Sequence, residues 1–220
     1  NLSQLPKSEI ANLLILIKNM NVTVRKYKKS DFINWDGFVA NSNNGTIFHL
    51  RKFLNYHPKE RFVDNSLIFQ KKGEIISIFP AVLQKQDGKI SLISHPGASV
   101  GSCVVSENLT FSDSIELTKR LVLYASENTI NRIQITLPPI IYNKKISQYL
   151  DFAYKKLGFT YQKREVTSIL FLENNIEKNL NKFKSSHRTA LRKAQKSGII
   201  IQQSQDFSTF FNILKKNLSI

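Results

Sequence analysis

Lys184, Arg188, Arg192 and Lys196 recur at four-residue intervals, with Lys193 beside them. On a helix this spacing gathers the cations on one stripe, while Phe183, Ala190, Leu191 and Ala194 fall elsewhere and can pack. No Asp or Glu interrupts the row, so like charges repel at i,i+4. A polyanion, most often phosphate, relieves that repulsion: Arg offers a fork to phosphate oxygens and Lys a point charge. A solvated basic face is the plain alternative. Gly198 suits the helix end, where a residue must tolerate positive φ.

Fewer residues elsewhere suggest chemistry. Asp36 is the best-placed carboxylate of the N-terminal third, with surface solvation as its alternative role. Asp64 precedes a strand, where it could satisfy backbone groups. His49 and Arg51 sit together on a predicted helix and could face a ligand. The loop Pro96-Gly-Ala-Ser-Val-Gly-Ser102 could turn backbone amides at Gly97, Ser99 and Gly101 toward an anion. His95 and Cys103 flank that loop, but no third group is evident to orient a Cys–His nucleophile. The four histidines lack metal-ligand spacing, so no metal site is expected. Trp35, Phe38 and Phe48 read as core.

Positioning these groups requires a globular scaffold, and the 220 residues suffice: 41% are hydrophobic, including 15 Phe and 7 Tyr. The net charge of +16 favours nucleic acid, phosphorylated ligands or an anionic membrane face. From Asn174 onward the chain carries nine Lys or Arg against two Asp or Glu. A single cysteine excludes a disulfide framework and makes a cytoplasmic setting the default. The apolar run at 10–17 is too short to span a bilayer and reads as a docking helix N-capped near Ser8; residues 1–19 form an N-terminal extension.

Alternation predicts a strand at 22–27, then a helix from Ser30 or Asp31 to Ala40 and a second from Ile47 to Tyr56. Strands follow at 66–71, 74–85 and 89–95, with hairpin turns at Lys72-Gly73 and Asp87-Gly88. A helix at 112–128, with Thr110 and Asp113 as a capping pair, leads to a strand at 130–137. A helix at 144–157 and a long strand or bent pair at 160–173 complete the pattern. The class is mixed α/β with an antiparallel meander. Gly198-Ile-Ile-Ile201 followed by Asp206-Phe207 then echoes Asn21-Val-Thr-Val24 followed by Asp31-Phe32, as though the chain restarts.

That order resembles the GNAT acyltransferase fold. Trp35-Asp36-Gly37-Phe38-Val39, Gly45-Thr46-Ile47-Phe48-His49, Ser94-His95-Pro96-Gly97-Ala98-Ser99-Val100-Gly101 and Leu191-Arg192-Lys193-Ala194-Gln195-Lys196-Ser197-Gly198 resemble the FemAB-like branch, which carries two GNAT-like domains in tandem. The resemblance covers about residues 21–200. It implies a GNAT-like domain at 20–183, a basic linker helix at 184–197 and the start of a second repeat at 198–220. Either the chain is a fragment or the second half has been lost.

The resemblance further implies transfer of an aminoacyl or acyl group to an amine of a phosphate-bearing acceptor, such as a peptidoglycan precursor. The donor would be aminoacyl-tRNA or an acyl-CoA, with no further cofactor required. Arg188, Arg192 and Lys193 carry over as phosphate contacts. One departure stands out: the Arg/Gln-x-x-Gly-x-Gly/Ala loop of CoA-dependent relatives does not open the helix at Ser112. Two further readings remain, a non-catalytic basic module binding RNA or anionic lipid, and an inactive remnant. Possible partners are therefore tRNA, a membrane surface, or a second copy pairing through the strand expected at 198–203.

Overall fold

The computed structural model describes residues 20–58 and 60–218; the docking helix expected near Ser8 lies outside them. The chain divides into two compact units, Asn1–Glu165 and Val166–Ile220.

The first unit is mixed α/β, as expected. Strand β1 (Val22–Lys26) leads to α1 (Phe32–Asn41) and the short α2 (Arg51–Leu54). Then come β2 (Val63–Asp64), β3 (Leu67–Lys71), β4 (Glu74–Phe79), β5 (Ala81–Gln86), β6 (Lys89–Ser94) and β7 (Val104–Val105). Helix α3 (Phe111–Glu127), β8 (Arg132–Gln134) and α4 (Tyr149–Lys156) complete it. One sheet has the order β1-β3-β4-β7 and the other β2-β5-β6-β8; every pairing is antiparallel except β6 with β8. Both hairpin turns form where Lys72-Gly73 and Asp87-Gly88 adopt positive φ.

The run expected as one strand from Glu74 to Lys85 is two. Pro80 lies between β4 and β5 and hands the chain from the first sheet to the second. Proline brings no N–H to a ladder, so it marks the place where pairing must stop. Similarly, the helix expected from Ile47 to Tyr56 is a 3-10 turn (Ile47–His49) and then α2, broken at Leu50, whose φ −70 and ψ 138 are extended.

Alternation splits the first sheet between two cores. Leu67, Phe69, Phe79 and Val105 pack with Leu117, Leu121 and Tyr124 of α3, and with Tyr154 of α4. Ile68, Ile78 and Val104, on the opposite face, pack against Trp35 and Val39 of α1. Helix α3 is capped as its sequence predicts, with Thr110 Oγ1 accepting the Asp113 N–H at 3.1 Å.

The second unit holds α5 (Ile176–Asn181), α6 (Ser185–Lys196) and α7 (Phe207–Leu218). The strands expected at 160–173 and 198–203 do not form. Their apolar side chains are present, but their backbone finds no neighbouring strand to complete a ladder. Gly198 takes φ +71 past the end of α6, as expected of a helix stop. Of the Asp-Phe echo, the helices alone correspond: α1 and α7 both begin at the phenylalanine.

Candidate functional site

The residues expected to bind phosphate or act on an amine separate into three groups. The first lies beneath the surface. Arg51 is 1% exposed, its guanidinium 3.5 Å from the Tyr27 ring centroid and 4.1 Å from that of Trp35, while Nη1 meets Asp64 at 2.8 Å. Burial depresses its pKa first of all, and Asp64 works against that. Asp64 also accepts from Ser66 N and Oγ, so its expected backbone role holds alongside the ion pair. The assignment of Arg51 to phosphate is therefore corrected: its charge already faces a carboxylate and two ring faces.

His49 is likewise sealed, at 0% exposure. Its Nδ1 accepts the Thr46 N–H at 3.0 Å, and burial lowers its pKa to about 4, so it is neutral and its proton sits on Nε2. A ligand-facing role for His49 is not what this placement gives. Asp36 is corrected too: its Oδ1 accepts the Arg51 N–H at 2.7 Å, satisfying the first orphan amide of α2. A cap, rather than proton transfer, is the work of this carboxylate.

The second group is the basic stripe on α6. Lys184, Arg192, Lys193 and Lys196 are exposed. Arg188 turns back on its own helix start, with Nη1 donating to Phe183 O at 2.9 Å. It acts there as a brace for backbone carbonyls, leaving four heads of the stripe open to an anion.

The third group is the loop after β6, where the structure assembles something the sequence reading missed. Tyr56, His57, Phe62 and His95 form a continuous ring cluster. The His57 ring lies 3.9 Å from Tyr56 and stacks on His95 at 5.7 Å with an 18° interplanar angle; Phe62 meets both edge-on. Gly97 makes this packing possible, because a Cβ there would lie 2.0 Å from His57 Nε2. Arg61 approaches His57 Nδ1 at 3.4 Å. Both histidines precede a proline, which biases them to extended backbone; the paired His-Pro steps were the available signal. His95 N donates to Pro80 O, tying the cluster to the crossing between the sheets.

The loop is not an open nest of amides. Gly97 N donates to His95 Nδ1, Ala98 N to His95 O and Gly101 N to Thr136 O. Ser99 is exposed at its tip. A diphosphate cradle built from Gly97 and Gly101 is therefore ruled out, since those donors already have partners.

Below the sheets, Cys103 is fully buried and its thiol is pushed up to about 12, so it is no nucleophile. Tyr154 is buried beside it. Burial first, then Cys103, raises the pKa of its hydroxyl well above that of an ordinary phenol. Such a group stays protonated, enclosed in the core. Among the described residues, no cluster of three metal-ligating side chains occurs, and no helix is long and apolar enough to cross a membrane.

No protein-family model matches the chain, and no curated protein matches it. Solved structures similar to it include a ribosomal-protein-alanine N-acetyltransferase from Brucella melitensis biovar Abortus 2308 (10% identity, TM-score 0.44, covering 68% of this chain and 99% of that one). An aminoglycoside acetyltransferase from an uncultured soil metagenomic sample is similar at 12% identity and TM-score 0.43, covering 70% and 100%. A transcriptional regulator from Bacillus halodurans C-125 gives 15% and 0.43, covering 68% and 99%. Likeness at this level assigns no activity.

Proposed function

We propose that this chain is an N-acyltransferase of the GNAT type, from the FemAB-like branch, moving an acyl or aminoacyl group onto an amine of a phosphate-bearing acceptor. One observation carries the reading. The first unit is the mixed α/β fold that the resemblance implies, and its chain crosses from one sheet to the other at Pro80, beside the His57–His95–Gly97 cluster. We assign to this crossing the place where a donor and an amine are held together, and positioning is a large part of what such an enzyme provides. The exposed cations of α6 suit a phosphate-bearing acceptor, such as a peptidoglycan precursor, or the phosphates of a tRNA donor.

The attacking amine gives up a proton and the departing thiolate or ribose oxygen takes one. Mass-spectrometric product detection tests the reading, with acetyl-CoA and aminoacyl-tRNA as donors and UDP-linked peptide precursors among the amines. Transfer to none of them overturns it.

The open stripe on α6 favours a second reading, a basic module for RNA or anionic lipid. That reading expects log affinity for RNA to fall linearly with log salt, the slope decreasing by about one for each contacting cation removed.

A further inference from the structure

Two histidines are each locked in one tautomer by a single glycine. The Arg61 guanidinium has only hydrogens to offer, so the His57 Nδ1 that it approaches at 3.4 Å carries a lone pair. The His57 proton then sits on Nε2, 3.4 Å from the Gly97 carbonyl. Both nitrogens of His57 are occupied. On His95 the same logic runs from the other side of Gly97: the glycine amide donates to Nδ1 at 3.3 Å, so the His95 proton sits on Nε2. That N–H has no partner among the described residues, on a side chain only 6% exposed. Stacking on His57 and the edge of Phe62 fix the ring in place. Burial first, then His57, lowers the His95 pKa to about 4; Arg51 adds to this and Asp64 opposes it. The imidazole is a neutral donor with no protein acceptor among the described residues.

We propose that the His95 Nε2–H is the hydrogen-bond donor to the carbonyl oxygen of the acyl group under transfer. This role rests on the acyl-transfer reading. The amine lone pair attacks the carbonyl carbon and forms the new C–N bond, while the C=O π pair moves onto oxygen, where the His95 N–H meets it. Collapse restores the C=O bond and breaks the C–S bond of a thioester or the C–O bond of an ester. The leaving group takes the proton that the amine releases, and His95 keeps its own. A preorganised neutral donor strengthens as charge grows on the oxygen, so it favours the transition state over the bound substrate. The other unpartnered nitrogens, His49 Nε2 and Arg51 Nε and Nη2, are enclosed and cannot reach an acyl group without rearrangement.

Two measurements test the role. Long-range 1H–15N correlation of the imidazole should find the His95 proton on Nε2, with a titration midpoint near 4. A proton on Nδ1 overturns the proposal. Kinetics should show His95→Ala lowering kcat about 10²-fold or more with little change in the donor KM. His95→Gln, which still carries an N–H, should recover part of the loss. An active chain indifferent to His95→Ala overturns this role alone, whereas a wild-type chain that transfers from no donor overturns the acyl-transfer reading and the role with it.

Discussion

At the scale of single residues, neighbours decide what a group can do. Arg51 and His49 look like ligand contacts in a sequence because cations and imidazoles are usually exposed. Here rings and a carboxylate surround one, and the interior surrounds the other. His49 makes this measurable. Its pKa of about 4 lies below the ordinary 6.5, so between those values the unfolded chain binds a proton that the folded chain refuses. Stability is therefore lost as pH falls from 6.5 toward 4, by up to roughly 3 kcal/mol for this group. Urea denaturation across that range should show a shallower acid loss in His49→Asn, whose amide oxygen can still accept the Thr46 N–H. An unchanged slope would place the acid sensitivity elsewhere. Gly97→Ala is the companion test: its methyl must displace the His57 ring, costing about 1–3 kcal/mol and disturbing the imidazole signals of both histidines.

At the scale of elements, the sequence was legible wherever a local cause suffices. Thr110 and Asp113 announce the start of α3, the two positive-φ turns announce their hairpins, and Gly198 announces the end of α6. What was not legible depends on partners far along the chain. Asn43 and Asn44 sit in what reads as an exposed polar loop, yet both are buried. Asn44 donates to Cys103 O and accepts from Val105 N, while Asn43 clasps Lys145 through both its amide atoms. No periodicity signals such a splice, because its acceptors lie 59 to 102 residues away. The His57–His95 pair escaped notice for the same reason: its members are nearly forty residues apart in sequence and meet only across the loop after β6. Losing the α3 cap by Thr110→Ala should cost about 1 kcal/mol, read as a lower urea midpoint at unchanged m-value. Asn44→Ala should cost more, since it strands a buried N–H and a buried carbonyl at once. A smaller effect for Asn44→Ala than for the cap would show that the splice is not what holds β7 in place.

At the scale of the whole molecule, the two units differ in kind. Among the described residues, every buried hydrophobic side chain belongs to the first unit, the last of them Tyr154. Beyond Glu165 the described side chains are exposed or half-exposed, among them Ile199–Ile201 and the phenylalanines at 207, 210 and 211. Burial of apolar surface is the main force that holds a domain together, so the first unit has what it needs for cooperative folding. The segment from Thr160 to Glu173 contains Lys163 and Arg164, both exposed and outside any ladder. Trypsin should therefore cut there early, because proteolysis follows local opening and a segment without ladder bonds has little to open. The fragment ending near Arg164 should keep one cooperative thermal transition within a few degrees of the intact chain. A fragment that loses its near-ultraviolet circular dichroism on cleavage would overturn this reading, because burial within the first unit would then not suffice to hold its core.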